Sequence, residues 1–259
     1  NYKKYFTTNK ISKSLNIVLC LAGKGQRFVD EGYSTPKFLL TDSSGTESIL
    51  SLIIKNFLAA GIQNFFLVLN IKHQIWEEQI KNSISQYSNL KYTLIFIDDT
   101  SGQAESAYRA ILHINDRQLI NLNEPIAFHN GDTVLFKRNF QSIVKDLNEG
   151  ADGAIDTFPA TSNAYSYVKV SHQGNVICIK EKTVISKKAT SGLYIFKDRK
   201  TFITAYKKTF FSHHEKYISE VYQEMIKRQS KILNLHNNRK HDTLILGTPS
   251  EYEHWKKSG

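Results

Sequence analysis

The stretch Asn16-Ile17-Val18-Leu19-Cys20-Leu21-Ala22-Gly23-Lys24-Gly25-Gln26-Arg27-Phe28 decides the fold. Residues 16–21 form a short apolar run that reads as a buried strand. Small residues follow at once. They let a backbone approach a bound group closely, and glycine tolerates the turns that aim several N–H donors at one anion. Pro36-Lys37 arrives eight residues after Phe28. Arg27 and Lys37 are therefore fixed cations beside the place where those donors point. A strand, a glycine loop and two cations at the carboxyl edge of a sheet make a cradle for a polyphosphate. A glycine pair alone would say little. Gly-x-Gly-x-Arg followed by Pro-Lys at this distance says much more.

Working outward, apolar residues at 49, 50, 53, 54, 57 and 58 recur at helical spacing, and Gly61 closes the helix. Residues 65–69 read as a second buried strand, 73–86 as a helix, 94–97 as a third strand and 104–113 as a helix. Residues 125–128 form a fourth strand ending in His129-Asn130-Gly131-Asp132, with a helix over 137–148 and a strand over 153–158. Strands alternating with helices predict right-handed parallel crossovers and a sheet covered on both faces. The pattern then changes. Residues 165–170 and 176–180 alternate about His172-Gln173-Gly174-Asn175 and predict an antiparallel hairpin. A strand over 189–196, helices over 201–211 and 218–228, short strands over 231–235 and 244–246, and a last helix after Gly247-Thr248-Pro249 complete the chain. The fold class predicted is α/β, a Rossmann-like, mixed, mainly parallel sheet flanked by helices, with a small antiparallel hairpin insertion. Residues 15–259 are expected to form one domain, with residues 1–14, four lysines and no acid, as a basic surface tail.

At 259 residues the chain can bury a substantial core. No apolar run approaches the roughly 18 residues of a membrane span, and the start of the sequence has no apolar core of a secretory signal. A cytoplasmic location is expected. Cys20 and Cys178 sit in strand-like surroundings and read as buried thiols, not a disulfide or metal pair. The net charge of +10 is uneven: residues 180–259 carry 17 Lys/Arg against 8 Asp/Glu, and residues 1–179 carry 17 against 16. With no nucleic-acid motif beside it, this asymmetry fits a phosphorylated small molecule or a solvated surface better than DNA or RNA.

The first stretch, with Gly32-Tyr33-Ser34-Thr35-Pro36-Lys37, resembles the signature of the nucleotidyltransferases that make nucleotide sugars and related activated metabolites. It is most similar to a branch found in bacterial capsule and lipopolysaccharide pathways. The resemblance covers roughly residues 16–255 and implies a GT-A-type fold, with a nucleotide-binding half over 15–160 and an acceptor-binding half over 161–259. By resemblance Leu21, Ala22, Gly23, Lys24, Gly25 and Gln26 would cradle the triphosphate, Arg27 its β/γ-phosphates, and Lys37 the α-phosphate. Thr100, Gly102 and Gln103, in a polar loop opening a helix, would pack against the base. Asp132, just past a parallel strand, would coordinate magnesium, which prefers oxygen ligands and commonly takes one or two carboxylates plus phosphates. Glu181 would meet hydroxyls or an amine of the acceptor, Lys182 its phosphate, and Gly192 would line the pocket. Tyr217-Ile218-Ser219-Glu220-Val221-Tyr222 also matches the branch, with helix capping as the expected role.

Two positions depart from the pattern. Ile245 stands where a second metal-binding Asp is usual, so either Asp132 and the phosphates hold the metal, or another acid such as Asp156 or Asp242 substitutes, or the activity is weakened; Gln26 replaces a usual Ser or Thr. The reaction implied is transfer of a nucleoside monophosphate from a triphosphate to a sugar phosphate or another small phosphorylated metabolite, with release of pyrophosphate. CTP stands slightly ahead of UTP or dTTP, which makes a cytidylyltransferase the leading expectation. A homo-oligomer is compatible with the family. Two other readings stand beside it: a glycosyltransferase, against which the absence of Asp-x-Asp after the fourth strand argues, and a non-catalytic nucleotide-binding domain.

Overall fold

The computed structural model describes residues 14–236 and 240–258, so all but the last residue of the expected basic tail lies outside the described residues. The first strand, β1 (Asn16–Cys20), leads through the glycine loop into one short turn of helix, α1 (Gln26–Asp30). α2 (Ile49–Ala59) starts where the Ser48 hydroxyl accepts from the Ser51 N–H at 3.1 Å, and it buries Ile49, Leu50, Leu52, Ile53, Ile54 and Phe57. β2 (Asn64–Asn70), α3 (Glu77–Ile84), β3 (Lys91–Ile97), α4 (Gln103–Asp116) and β4 (Ile126–Asn130) follow. The helix expected over 73–86 opens as a 3-10 segment, Ile71–Trp76, because the Asn70 side chain accepts from Lys72 N at 3.0 Å and tightens the chain leaving β2. Next come β5 (Thr133–Leu135), α5 (Phe140–Asn148), β6 (Gly153–Pro159), the hairpin strands β7 (Tyr167–Val170) and β8 (Val176–Lys180), and β9 (Lys188–Phe196). α6 (Arg199–Lys208), α7 (Ile218–Lys227), β10 (Ile232–His236), β11 (Thr243–Ile245) and α8 (Pro249–Ser258) end the chain.

The main sheet runs β10-β6-β9-β4-β1-β2-β3. β3, β2, β1 and β4 are mutually parallel, as are β6 and β10. β9 alone in this path is reversed, pairing antiparallel with both β4 and β6. The predicted hairpin attaches to the sheet through Tyr167 against Ala189. A second, two-stranded antiparallel sheet joins β5 to β11. The sheet is thus mixed and mainly parallel, flanked by helices, as the sequence predicts. The reversal of β9 and the existence of β5 were not anticipated, since three residues carry too little periodicity to mark a strand.

Each face of the sheet carries its own core. Ile17, Leu19, Leu67 and Leu193 pack with α2 and Phe140 on one side. Val18, Val68, Phe128 and Phe196 pack with Ala107, Ile111, Phe202 and Tyr222 on the other. Each fully buried large side chain contributes roughly 1.5–3 kcal/mol. This double burial fixes the strand register, because a one-residue slip would turn every side chain to the wrong face. The register in turn fixes the functional edge. Cys20 at the end of β1 lies level with Val68 and with Asn130 at the end of β4. Reversal of β9 brings its early residues, not its late ones, to that same edge.

Candidate active site

A cavity of about 760 Å³ opens at the carboxyl edge of the parallel strands. The loops after β1, β3 and β4, the end of the hairpin, the start of β9, and His214, Glu215 and Tyr217 line it. Every site residue read from the sequence borders it except Gln26, whose amide turns away and donates to Asp30 Oδ1 at 2.7 Å.

The glycine loop is anchored from behind. Phe28 is 2% exposed and meets Tyr33 and Tyr252 edge-on, with ring centroids 5.4 and 6.3 Å away. Arg27, one residue earlier, is left exposed at the cavity rim. Lys24 is 3.5 Å from Asp99 in the loop after β3. Pro36 precedes a 3-10 turn, Lys37–Leu39, whose Phe38 and Leu39 are buried while the Lys37 side chain enters the cavity. There Lys37 Nζ meets Asp132 Oδ2 at 2.5 Å.

Asp132 is ionised. Burial alone would push its carboxyl up, but the charge and hydrogen bond of Lys37, with a smaller contribution from the Thr133 hydroxyl, outweigh it and hold the carboxyl below its usual range. His129 lies wholly buried beneath, its Nε2–H donating to the Thr133 carbonyl at 2.7 Å. Burial depresses its pKa to about 4, so the ring stays neutral near pH 7. The Cys20 thiol is pushed up to about 12 by burial, against a hydrogen bond from Gln103, and is no nucleophile. Both cysteines are half-buried and unpaired.

The loop after β3 is pinned by backbone. Lys216 N donates to Ser101 O at 2.6 Å, and Ala104 N donates to Lys216 O at 3.0 Å. Gly102, at φ +132°, permits this. A Cβ there would lie 2.6 Å from the Lys216 carbonyl oxygen and 2.7 Å from its nitrogen. Gln103 Nε2 donates to Asn130 Oδ1 at 2.5 Å, and the Asn130 side chain fills the space a Cβ on Gly192 would need. Thr100 Oγ1 bonds Ser106 Oγ at 2.7 Å. Glu105 closes the group. Burial would raise its carboxyl, but Arg109, Lys216 and the Ser101 N–H bring it down to about 2.

Elsewhere on the cavity wall, Glu181 accepts from the hydroxyls of Ser166 and, at 2.6 Å, Ser219. Lys182 Nζ donates to Tyr217 Oη at 2.7 Å. Cations for phosphate, one ionised carboxylate and a second polar wall thus share one space. A sequence profile of the nucleotidyl transferase family matches residues 16–256. The chain belongs to that family.

Solved structures agree on the fold. A nucleoside-diphosphate-sugar pyrophosphorylase from Vibrio cholerae RC9 superposes with a TM-score of 0.82 at 23% identity, covering 93% of this chain and 99% of that one. A putative glucose-1-phosphate thymidylyltransferase from Bacillus anthracis, in complex with a sucrose, gives 0.74 at 14% identity, covering 95% of each chain. No curated protein matches the chain by sequence.

Nucleotidyl transferases generally use a divalent cation, and the donors around Asp132 show which residues would hold one. Among the described residues no three His, Cys, Asp or Glu side chains gather to hold a metal. Asp99, Glu181, Glu215 and Glu251 border the cavity with Asp132 but do not gather on it as a set of three, and one or two carboxylates suit a cation such as magnesium, which takes the rest of its oxygens from phosphates and water, not a closed zinc centre. Neither substitute for the missing late Asp serves. Asp156, 1% exposed, is gripped by Arg138 through bonds of 2.8 and 2.9 Å. Asp242, 7% exposed, has an oxygen 3.7 Å from Lys137 Nζ and does not border the cavity. The carboxylate that does approach is Glu251. A Cβ on Gly247 would lie 3.4 Å from Asp132 Oδ2 and 3.7 Å from Glu251 Oε2. Glu251 also accepts from Thr248 N and Oγ1, both at 2.9 Å, and so opens α8.

The sequence reading missed Asn130, Ser166, Glu215 and Tyr217 on the cavity wall, and Ser219 behind Glu181. Glu220 does cap α7, accepting from Tyr217 N at 3.3 Å, as expected of that segment. Ser219 beside it turns the other way, to Glu181, and only tertiary structure reveals that.

Proposed function

We propose that the protein transfers a nucleoside monophosphate from a triphosphate to a small phosphorylated acceptor, a sugar phosphate or similar metabolite, and releases pyrophosphate. The observation that carries this is the convergence of the glycine loop, the Lys37–Asp132 pair, Glu181 and Lys182 on one cavity. A phosphate oxygen of the acceptor attacks the α-phosphorus, and the bond from that phosphorus to the pyrophosphate oxygen breaks. An ionised phosphate is already a nucleophile, so positioning and charge stabilisation do most of the work. The glycine-loop N–H groups and Arg27 receive the β/γ-phosphates. Lys37, paired with Asp132 at 2.5 Å in the free protein, would serve the α-phosphate, and Asp132 is the residue that would hold a divalent cation. Thr100, Gly102 and Gln103 meet the base, Glu181 binds the acceptor's hydroxyls or amine, and Lys182 its phosphate. Bound at Asp132, magnesium would offset the charge of the triphosphate as pyrophosphate departs. By family resemblance the triphosphate is a pyrimidine one, with CTP first, and the product feeds capsule or lipopolysaccharide assembly.

The test is pyrophosphate release with each common triphosphate, magnesium, and a panel of sugar 1-phosphates and phosphorylated alcohols or amines. One productive pair names both substrates. If no pair reacts and no triphosphate raises the melting temperature, the nucleotide reading is wrong.

A further inference from the structure

Lys182 is held by more than its place in the chain. It ends the hairpin in the left-handed region, at φ +48°, a conformation non-glycine residues adopt rarely. Its Nζ lies 2.7 Å from Tyr217 Oη and 4.8 Å from the ring centroid. The hydroxyl is therefore its partner, with the ring face secondary. That hydroxyl gives its own proton to Glu215 Oε2 at 2.5 Å. The phenol thus stands between an ammonium and a carboxylate, accepting from one and donating to the other. An ammonium has three N–H donors. Tyr217 takes one and leaves two for a ligand in the cavity that all three residues border.

The anchor is stiff where the lysine is not. Tyr217 N is tied to Glu220, and the adjoining Lys216 backbone is paired to Ser101 and Ala104. Interposed this way, the phenol keeps Glu215 from closing directly on Lys182 and neutralising it. We propose that Tyr217, braced by Glu215, is the positioning residue for Lys182 and presents its ammonium to the phosphate monoester of the acceptor. This rests on the reading of Lys182 as the acceptor-side cation.

The experiment follows acylation of Lys182 by acetic anhydride in the full chain, read by peptide mass spectrometry. Inorganic phosphate serves as the probe at constant ionic strength. In the native protein phosphate should protect Lys182. In Tyr217→Phe, which keeps the ring, the half-protecting concentration should rise about tenfold, the effect of losing one charge-assisted hydrogen bond. Glu215→Ala, which frees the phenol without touching it, should move it in the same direction by less. Once an acceptor is known, Tyr217→Phe should raise its KM and leave that of the triphosphate unchanged. Equal protection in the native protein and both variants overturns the positioning role. No protection in the native protein removes phosphate from Lys182 and the proposal with it, while pyrophosphate release by the same preparation still reports on the reaction class.

Discussion

Replacing Lys37 by methionine separates two roles that one side chain fills. In the free protein its ammonium is 2.5 Å from Asp132 Oδ2, with 24% and 21% of the two side chains exposed. Removing one partner of a fully buried pair costs about 3–5 kcal/mol, because the survivor is left charged without compensation. Here a fifth of each side chain reaches water, so Asp132 can rehydrate or protonate in part, and we expect a loss of about 2 kcal/mol. Asp132→Asn added to Lys37→Met removes the stranded charge, and the double variant should return to within about 1 kcal/mol of the native protein. Activity should not return. Lys37→Met should lower kcat on the order of 10²-fold or more, as loss of a preorganised charge at a transferring group does, and the double variant should be no faster. Urea denaturation of the four proteins gives the stability cycle, and pyrophosphate release gives the rates. Additive stability losses would refute the pairing. A Lys37→Met enzyme within a few-fold of native kcat would refute the catalytic role.

Gly192→Ala places a methyl group in the Asn130 side chain at φ +86°. It should cost about 1–3 kcal/mol in strain, break the Gln103 contact and raise the triphosphate KM; unchanged melting and KM would count against the packing described. Arg138→Met strands the buried Asp156, with exposures of 7% and 1%, and should destabilise by about 3–5 kcal/mol, which urea denaturation would measure. His129 has its folded pKa depressed from 6.5 to about 4. Its neutral form is the native one, so its contribution is intact above the unfolded pKa and is lost as pH falls from 6.5 toward 4. At about 1.4 kcal/mol per unit this is about 3 kcal/mol. His129→Gln should flatten the acid limb of a stability-against-pH curve by that amount, and superimposable limbs would show the ring is not the group responsible.

How much of this was legible depended on the kind of signal. The glycine loop and Asp132 could be read because each follows a strand, and the carboxyl edge of parallel strands collects whatever follows them, while Lys37, after α1, was marked by its Pro-Lys spacing from the glycine loop. Ile245 could be read as a departure, but its remedy could not. Asp242 lies three residues before Ile245 and Asp156 far from it, and the fold spends both on Arg138 and Lys137 in tying β5 and β11 to the sheet, while Glu251 reaches the cavity from a helix start that looked purely structural. Gln26 was placed in the cradle by its position in the motif, yet one turn of α1 rotates it out to Asp30. Periodicity reports which face a residue lies on and never which distant side chain it will meet.

The two glycines that matter most to the cavity make the same point in reverse. Gly102 and Gly192 stood out as members of a motif, as though each served a ligand. In the fold each serves a close approach between segments far apart in the chain: Gly102 receives the backbone of Lys216, and Gly192 receives the side chain of Asn130. Both approaches join the part of the chain before residue 160 to the part after it, at the edge where the cavity opens. The reversed β9 makes the second of them, since a parallel strand would have carried Gly192 to the opposite edge. Bringing acceptor and triphosphate together is a matter of orientation, in which a misplacement of about 1 Å costs on the order of 10²-fold in rate. In the proposed reaction these two contacts would hold the walls of the cavity at that spacing. Enlarging either glycine should therefore damage turnover even where the enlarged residue touches neither substrate.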